Sequence, residues 1–334
     1  MTLRWQTLES MSCSQVRRQA AAEGLRFRLG PFVLRLTTTI GFLSEQLRQL
    51  YPLAEVAPPG CAEPTTFHVA MKRSPGLRRW VKPNVHFVTD REAPFNPFPV
   101  THALPMLEWG VNWCIATQAH EYLQLHAAVV EKDGLALVMP AEPGSGKSTL
   151  CAALAHRGWR LLSDEFGLIR PGSASLEITP IPRPIPLKNR SIEVFRRFAP
   201  EATIGPAFPG TRKGDVAHVM PPLDSQRRWA EPATPAFVVF PRYSPGTPTR
   251  LTPMPKSQAF VELSGNSFNY RLQGERGFST LMRLVRQCTT YSLKFDNLEH
   301  AVEVLDTLDA RQDAVKPPSG SSKSGEDPFA QETS

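Results

Sequence analysis

The sequence lacks the features that mark several large classes of proteins. No apolar run approaches the roughly 20 residues of a membrane-spanning helix, and residues 1–18 contain no apolar segment of the secretory-signal type. The five cysteines are far apart and form no Cys-x-x-Cys pair, which argues against a disulfide framework or a zinc site. Basic residues are scattered without a nucleic-acid-binding motif, although the net charge is +7. We therefore expect a cytoplasmic protein that binds neither membranes nor nucleic acids.

The composition predicts a folded chain with less ordered ends. Its 334 residues, 41% of them apolar, suffice for one large domain or two ordinary ones. We expect a weakly ordered N-terminus at 1–23, a smaller α+β region at 24–120 and a second region at 121–310 that carries the chemistry. The tail at 311–334 is rich in proline, glycine and serine and is predicted to be disordered.

Hydrophobic periodicity gives the elements of the first region. Alternating apolar residues predict strands at Leu25–Leu29 and Phe32–Leu36, joined by a turn. A long buried helix is predicted over 104–120, where Trp109 and Trp113 share one face. We expect these two rings to pack in the core, with base stacking as the alternative.

A hairpin begins the second region. Leu125–Val130 and Leu135–Met139 read as strands that are joined by the Asp133-Gly134 turn. The second strand leads directly into a glycine-rich loop, so the strand that feeds this loop has an antiparallel neighbour, unlike that of a simple βαβ nucleotide fold. Alternating prolines at 180–186 predict an extended loop further along the chain.

The glycine-rich segment Ala141–Thr149 reads A-E-P-G-S-G-K-S-T and matches the phosphate-loop pattern G-x-x-x-x-G-K-[ST], except that Ala141 replaces the first glycine. Such a loop turns backbone N–H groups toward phosphate oxygens at the start of a helix. Lys147 would contact the outer phosphates, and the Ser148 hydroxyl would reach magnesium. The predicted nucleotide-binding residues are Gly144, Ser145, Gly146, Lys147, Ser148 and Thr149.

Two acidic residues and a histidine are the other candidates. Asp164 and Glu165 interrupt an apolar run at 159–169 that is otherwise typical of one strand. One carboxylate could hold magnesium while the other orients or deprotonates an acceptor hydroxyl; alternatively, both are solvated at a strand end. His126 begins the hairpin and is a candidate catalytic residue, although an isolated histidine beside an apolar strand is more often part of the core.

Basic residues near two loops could clamp a transferring phosphate or could be ordinary surface charge. Arg183 and Lys188 lie in or near the proline-rich loop, and Arg212 and Lys213 lie in the tight loop at 210–214.

These motifs together resemble the catalytic domain of HPr kinase/phosphorylase. The resemblance lies in the order and spacing of the histidine strand, the Asp-Gly turn, the phosphate loop and the acidic pair, and it extends to the related "kinase A" group. The residues that carry it are His126–Val130, Asp133-Gly134, Ala141–Thr149, Leu161–Glu165, Pro182–Asn189, Thr211–His218, Asn266–Tyr270 and Leu107–Cys114.

The resemblance implies the P-loop kinase core shared by HPr kinase and phosphoenolpyruvate carboxykinase, an α/β fold with a mixed, largely antiparallel sheet. It implies ATP and Mg²⁺, with Asp164 as base toward a serine hydroxyl and with Glu165 and Ser148 near the metal. His126 would lie near the transferring phosphate. The related group also suggests a PqqD-like peptide chaperone as a partner.

The leading hypothesis is therefore a serine kinase that acts on a peptide or small protein, with Arg183 or Arg212 stabilising phosphate charge from the far side. Two alternatives stay open: a nucleotide-binding regulatory module that transfers nothing, and a kinase of small molecules. Homo-oligomerisation is also left open.

Overall fold

The protein has a mixed α/β fold. Its two larger sheets each contain both parallel and antiparallel strand pairs. The computed structural model describes residues 4–58, 60–76, 81–90 and 92–308. The tail that was expected to be disordered lies outside the described residues.

The strands, in chain order, are β1 (Gln6–Thr7), β2 (Leu25–Leu29), β3 (Phe32–Thr38), β4 (Glu55–Val56), β5 (Phe67–Arg73), β6 (Asn84–Thr89), β7 (Phe98–Pro99), β8 (Leu123–Lys132), β9 (Leu135–Pro140), β10 (Arg160–Ser163), β11 (Phe166–Ile169), β12 (Ile178–Thr179), β13 (Ile185–Lys188), β14 (Phe208–Thr211), β15 (Gly214–Val219), β16 (Thr234–Tyr243), β17 (Arg250–Pro253) and β18 (Thr289–Phe295). The α-helices are α1 (Cys13–Ala21), α2 (Gly41–Leu50), α3 (Ala103–Gln118), α4 (Lys147–Ala155), α5 (Arg190–Phe198), α6 (Leu223–Arg227), α7 (Lys256–Gly265), α8 (Tyr270–Gln287) and α9 (Leu298–Asp306). Short 3-10 turns occupy Leu8–Ser10 and Val100–His102.

The first sheet has the strand order β1-β4-β2-β3-β5-β6-β7, with α1, α2 and α3 packed against it. The predicted β2–β3 hairpin is confirmed, and it turns at Gly30, whose φ is 54°. A Cβ atom at Gly30 would lie 2.3 Å from the carbonyl oxygen of Pro180. The hairpin tip therefore approaches the proline-rich segment too closely for any larger residue.

The N-terminal residues are more ordered than the sequence suggested. Residues 4–23 were expected to be weakly ordered, but they contain β1, a 3-10 turn and α1. Ser12 caps α1 through a reciprocal capping box with Gln15. Leu8 and Val16 are fully buried against the first sheet, so their apolar side chains anchor this segment, and the expectation is wrong for it.

The second sheet has the order β12-β11-β8-β9-β16-β18-β17, and β10 also pairs with β8. Strand β9 lies between β8, its antiparallel hairpin partner, and β16, which runs parallel to it. The predicted antiparallel neighbour of the loop-feeding strand is thus confirmed. The turn uses Asp133 and Gly134, both at positive φ.

Alternation along β8 and β9 buries both faces of this sheet. On one face, Ala128 and Val130 pack with α4, α5 and α9; on the other, Ala127 and Val129 pack with α7 and α8. The period of two in a strand sends successive side chains to opposite faces, so two separate apolar clusters form.

Two local predictions are corrected. The segment 159–169 is not one strand: β10 and β11 both pair with β8, and the chain bends between them at the acidic pair. Pro186 lies within a strand and not in a loop, because β13 is an edge strand of the β13-β15-β14 sheet, where a missing N–H is tolerated.

All five cysteines are free thiols, as expected. Among the described residues, no helix is both long and apolar enough to cross a bilayer.

Candidate functional site

The glycine-rich loop connects the end of β9 to the start of α4. Gly144 and Gly146 have φ values of 89° and 87°, in the left-handed region that glycine adopts without strain. A Cβ atom at Gly146 would lie 3.0 Å from Tyr243 Cβ and 3.1 Å from Phe295 Cζ. Backbone conformation therefore favours glycine at position 146, and the space for a Cβ atom there is tight.

The ends of β16 and β18, which run parallel to β9, lie against the loop. Tyr243 ends β16 and donates its backbone N–H to the carbonyl oxygen of Ser145 at 2.8 Å. Phe295 ends β18, and its ring lies 5.9 Å from that of Tyr243. At the other side of the loop, the first-turn N–H groups of α4 lack intrahelical acceptors and favour an anion.

Lys147, the first residue of α4, carries a buried ammonium group. The residue is 7% exposed, and its Nζ atom has no hydrogen-bond partner within the described part of the chain. Because a buried charge without a hydrogen bond is costly, this ammonium group keeps free hydrogen-bonding capacity beside the loop.

Asp164 lies in the bend between β10 and β11 and is 6% exposed. Neither carboxylate oxygen forms a hydrogen bond of good geometry to a described residue. Burial raises the pKa of this carboxyl to about 7; nearby Glu165 raises it further, whereas Lys147 and the Ser148 hydroxyl oppose the shift. The carboxyl therefore changes charge near neutral pH, beside both functional side chains of the loop.

Glu165 lies beside His126. Its Oε1 atom lies 3.5 Å from His126 Nε2, and its side chain is 33% exposed. Burial and the charge of Lys147 lower the pKa of His126, while Glu165 opposes this shift. The His126 ring packs on Phe268 at 5.3 Å. The structure thus brings His126 to Glu165 and near Lys147.

Arg183 occupies a different position from the one predicted. Its guanidinium donates to Glu108 Oε2 at 2.6 Å, to the Glu108 backbone oxygen at 3.0 Å, and to the Asn112 amide oxygen. The Tyr51 hydroxyl donates to the other Glu108 oxygen at 2.6 Å. The terminal nitrogens of Arg183 therefore hold α3 to the proline-rich segment. A phosphate-clamping role for Arg183 is not supported.

Two lysines, and not Arg183, lie where a cation near the acidic pair was expected. Lys188 is close enough to lower the pKa of Asp164 and of His126. Burial, followed by the charge of Lys188, lowers the pKa of Lys213, and Glu165 opposes the shift. Arg212 instead lies over the Phe98 ring, at 5.7 Å. The sequence located both lysines in or near the two loops. Nothing in it favoured them over Arg183 and Arg212 as candidates to contact a phosphate.

The acidic pair opens onto a small cleft of about 30 Å³ between α3 and the second region. Sequence reasoning gave no site role to His218 on β15, which also lines the cleft, although this residue ends the Thr211–His218 segment of the resemblance. The cleft is lined by Glu108, Trp109, Asn112, Asp164, Glu165, Arg183, Pro184, Pro186 and His218.

The donor set limits what cation the site could hold. Within the described ranges, no group of three or more histidine, cysteine or acidic side chains forms a metal-binding cluster. Ser148 and the acidic pair offer only oxygen donors, which suit magnesium when nucleotide phosphates and water supply its other ligands.

Comparison of the chain with protein-family models and with curated proteins finds no match.

Proposed function

We propose that this protein is an ATP- and magnesium-dependent phosphotransferase of the HPr-kinase-like class, which phosphorylates a hydroxyl group of a peptide or small protein in the cytoplasm. One observation carries the proposal: the Lys147 ammonium and the Asp164 carboxyl are both buried, both lack hydrogen-bond partners in the described structure, and interact electrostatically beside the glycine-rich loop. A phosphate on one side and a hydroxyl on the other would satisfy both groups.

The loop would bind the nucleotide. Left-handed Gly144 and Gly146 expose backbone N–H groups, and the start of α4 adds its unpaired first-turn N–H groups. Lys147 would neutralise charge on the outer phosphates in a site that is shielded from water, where such contacts are strongest.

Ser148 and Glu165 would hold the magnesium ion together with phosphate oxygens of the nucleotide. When bound, the ion neutralises charge that develops on the phosphoryl group. This assignment matches the oxygen-only donor set of the site.

Asp164 would act as the proton acceptor. The acceptor oxygen attacks the γ-phosphorus, the bond from that phosphorus to the β–γ bridging oxygen breaks, ADP leaves, and the hydroxyl proton passes to Asp164. Its pKa of about 7 suits a group that must take up and release a proton near neutral pH. Lys188 and Lys213, whose charges lower the pKa of His126, would stabilise the phosphate charge.

The nucleotide part of the proposal is tested by Lys147→Ala. Removing the ammonium takes away a contact to the outer phosphates, so calorimetry at one salt concentration should show markedly weaker Mg-ATP binding. Lys72→Ala, on an exposed position of β5, is the matched control and should bind normally. Equal affinity in both variants would contradict phosphate binding at this loop.

The catalytic part is tested by the contrast between Asp164→Asn and Glu165→Gln. The first variant should retain Mg-ATP affinity but transfer phosphoryl groups roughly 10²–10⁴-fold more slowly, the usual scale of general acid–base help. The second should raise the magnesium concentration that half-maximal turnover requires. The measurements are turnover of radiolabelled ATP, including its slow hydrolysis, across a magnesium series.

Two other outcomes have clear meanings. If both variants lose nucleotide binding alike, the pair is only a metal site, and His126 becomes the candidate base. If neither changes any turnover, the protein is a nucleotide-binding regulatory module and not an enzyme.

A further inference from the structure

Asn189 has an unusual backbone conformation directly after one of the two lysines near the acidic pair. It follows Lys188 at the end of β13, and its φ and ψ are 50° and −127°. Side chains other than glycine rarely adopt a positive φ, and asparagine does so chiefly in the left-handed helical region, at a ψ of about 47°. Glycine would fit this position without strain. The chain reversal by itself therefore does not explain an asparagine here.

The side-chain amide of Asn189 replaces its backbone carbonyl in the sheet. The Asn189 N–H donates to the carbonyl oxygen of Asp215 at 2.8 Å, and the Asp215 N–H donates to Asn189 Oδ1 at 3.0 Å. Residues of an antiparallel ladder normally exchange such bonds between their backbones. Here the Asn189 carbonyl accepts instead from the N–H of Ile192 in α5. The amide thus adds one rung to the β13–β15 ladder while the chain already turns into a helix.

The tip of the β14–β15 hairpin is fitted to this amide. Gly214 has a φ of 84°, and a Cβ atom there would overlap Asn189 Oδ1. The Asp215 carboxylate accepts from the Gly210 N–H at 2.9 Å, and the Thr211 hydroxyl donates to the Gly214 carbonyl at 2.6 Å. The tip is therefore a closed unit, and Asn189 ties it to the end of β13.

This rung lies between two ammonium groups. Lys188 directly precedes Asn189, and Lys213 belongs to the hairpin tip. Lys213 Nζ lies 5.2 Å from the centre of the Trp109 ring, which lines the cleft. The charge of Lys188 is close enough to lower the pKa of Lys213. Because like charges repel, the two groups would move apart if the hairpin were free.

We propose that Asn189 is a positioning residue that holds the ammonium groups of Lys188 and Lys213 together at the edge of the cleft. The inference rests on the proposed phosphotransferase function, in which these lysines stabilise phosphate charge. Cations that are fixed before the reaction stabilise developing charge without having to reorganise. Asn189 acts through the two lysines and not by its own contact with a phosphate.

The first test is Asn189→Gly in the full chain, which suits the positive φ and removes the amide. Turnover of radiolabelled ATP with magnesium, including its slow hydrolysis, should fall roughly 10–100-fold, the scale that misplacing a group by about 1 Å can reach. Calorimetric affinity for Mg-ATP should stay close to that of the wild type, because the glycine-rich loop is intact. The midpoint of denaturant unfolding should also stay close, because relief of strain offsets the lost hydrogen bond.

Two further variants separate positioning from backbone shape. Asp133→Gly is the matched control: Asp133 has a φ of 54°, is exposed, and lies in the β8–β9 turn, at the end of β9 remote from the glycine-rich loop. It makes the same backbone change elsewhere and should leave turnover unchanged. Asn189→Asp keeps an oxygen acceptor for the Asp215 N–H and should recover part of the turnover that Asn189→Gly loses.

A double variant tests the route through Lys213. Lys188 is also held by the Ser191 hydroxyl, which bonds both its backbone N–H and its carbonyl oxygen, so Lys213 is the lysine that depends more on Asn189. In a Lys213→Ala background, Asn189→Gly should therefore lower turnover by about twofold at most. An equal loss with and without Lys213 would overturn this route.

The remaining outcomes separate the inference from the function on which it rests. In the nucleotide-free protein, the Asp215 N–H should exchange hydrogen faster in Asn189→Gly than in the wild type; unchanged exchange would show that the amide does not hold the hairpin. Wild-type turnover in a folded Asn189→Gly variant would overturn the role of Asn189 alone. Mg-ATP binding by the wild-type chain without any turnover would overturn the proposed phosphotransfer itself, and the inference with it.

Discussion

Two sets of buried polar side chains, each with members that line the cleft, are satisfied to very different degrees. In the first, Tyr51, Glu108 and Arg183 bond to one another and tie α3 to the proline-rich segment. In the second, Lys147 and Asp164 are equally buried, yet neither forms a hydrogen bond of good geometry to a described residue, although the Ser148 hydroxyl lies close enough to lower the pKa of Asp164. Similar burial thus coexists with opposite degrees of pairing.

The difference separates scaffold from site. A paired set fixes the positions of the elements that carry it, since each charge is held by a partner that belongs to the fold. An unpaired set stores unfavourable energy that a ligand can relieve, and folded proteins retain such conflicts chiefly at functional positions. Burial raises the pKa of Asp164 to about 7, because Lys147 and the Ser148 hydroxyl offset only part of the cost of removing the carboxylate from water.

The largest expected effect comes from breaking the paired set. Glu108→Ala would leave the Arg183 guanidinium buried and uncompensated, at a cost of about 3–5 kcal/mol in the free energy of unfolding. Denaturant unfolding measures the change. The control is Glu45→Ala, whose ion pair with Arg17 is 3.8 Å long and exposed; it should change stability by less than about 1 kcal/mol. Equal effects would mean that the buried network is not a scaffold.

The unpaired set should respond in the opposite direction. Asp164→Asn removes a buried carboxyl and should stabilise the nucleotide-free protein by about 2 kcal/mol at pH 8, since the shift in pKa sets an upper limit of about 4 kcal/mol.

The sign of this effect depends on pH. Because the folded-state pKa lies near 7 and the unfolded value near 3.8, the folded chain holds a proton that the unfolded chain releases between these values. The stability that this protonation contributes is present below the unfolded pKa and is lost as pH rises toward 7. The advantage of Asp164→Asn should therefore grow from pH 4 to pH 8 in thermal melts. A constant difference across this range would contradict the raised pKa.

The smallest of the three effects compares two glycines of the loop. Both have positive φ, so alanine is strained at either, by about 1–2 kcal/mol. A Cβ at Gly146 would also press on Tyr243 and Phe295, whereas none of the described atoms lies within 4 Å of one at Gly144. Gly146→Ala should be the less stable variant in denaturant unfolding. The reverse order would show that the strand ends do not support the loop as described.

Local sequence patterns predicted many of the elements that position the site. The β2–β3 and β8–β9 hairpins, the long helix at 103–118 and the helix after the glycine-rich loop all follow from periodicity and turn residues that act over a few positions. Local patterns failed to predict elements whose contacts come from distant parts of the chain. The N-terminal segment is ordered because Leu8 and Val16 find a core, which no feature of residues 1–23 could reveal.

The candidate site shows the same division between local patterns, which the sequence reveals, and non-local contacts, which it does not. The sequence by itself determined the loop at Ala141–Thr149, because a phosphate-binding turn needs glycines, a lysine and a hydroxyl at fixed spacing, and it singled out Asp164. Only the tertiary structure decided which charges are left unpaired around that loop. It bonded Arg183 to Glu108, left Lys188 and Lys213 facing the acidic pair, and brought His218 to the cleft. A residue's partners come from distant parts of the chain, so the sequence can supply a charged group without showing whether folding will neutralise it.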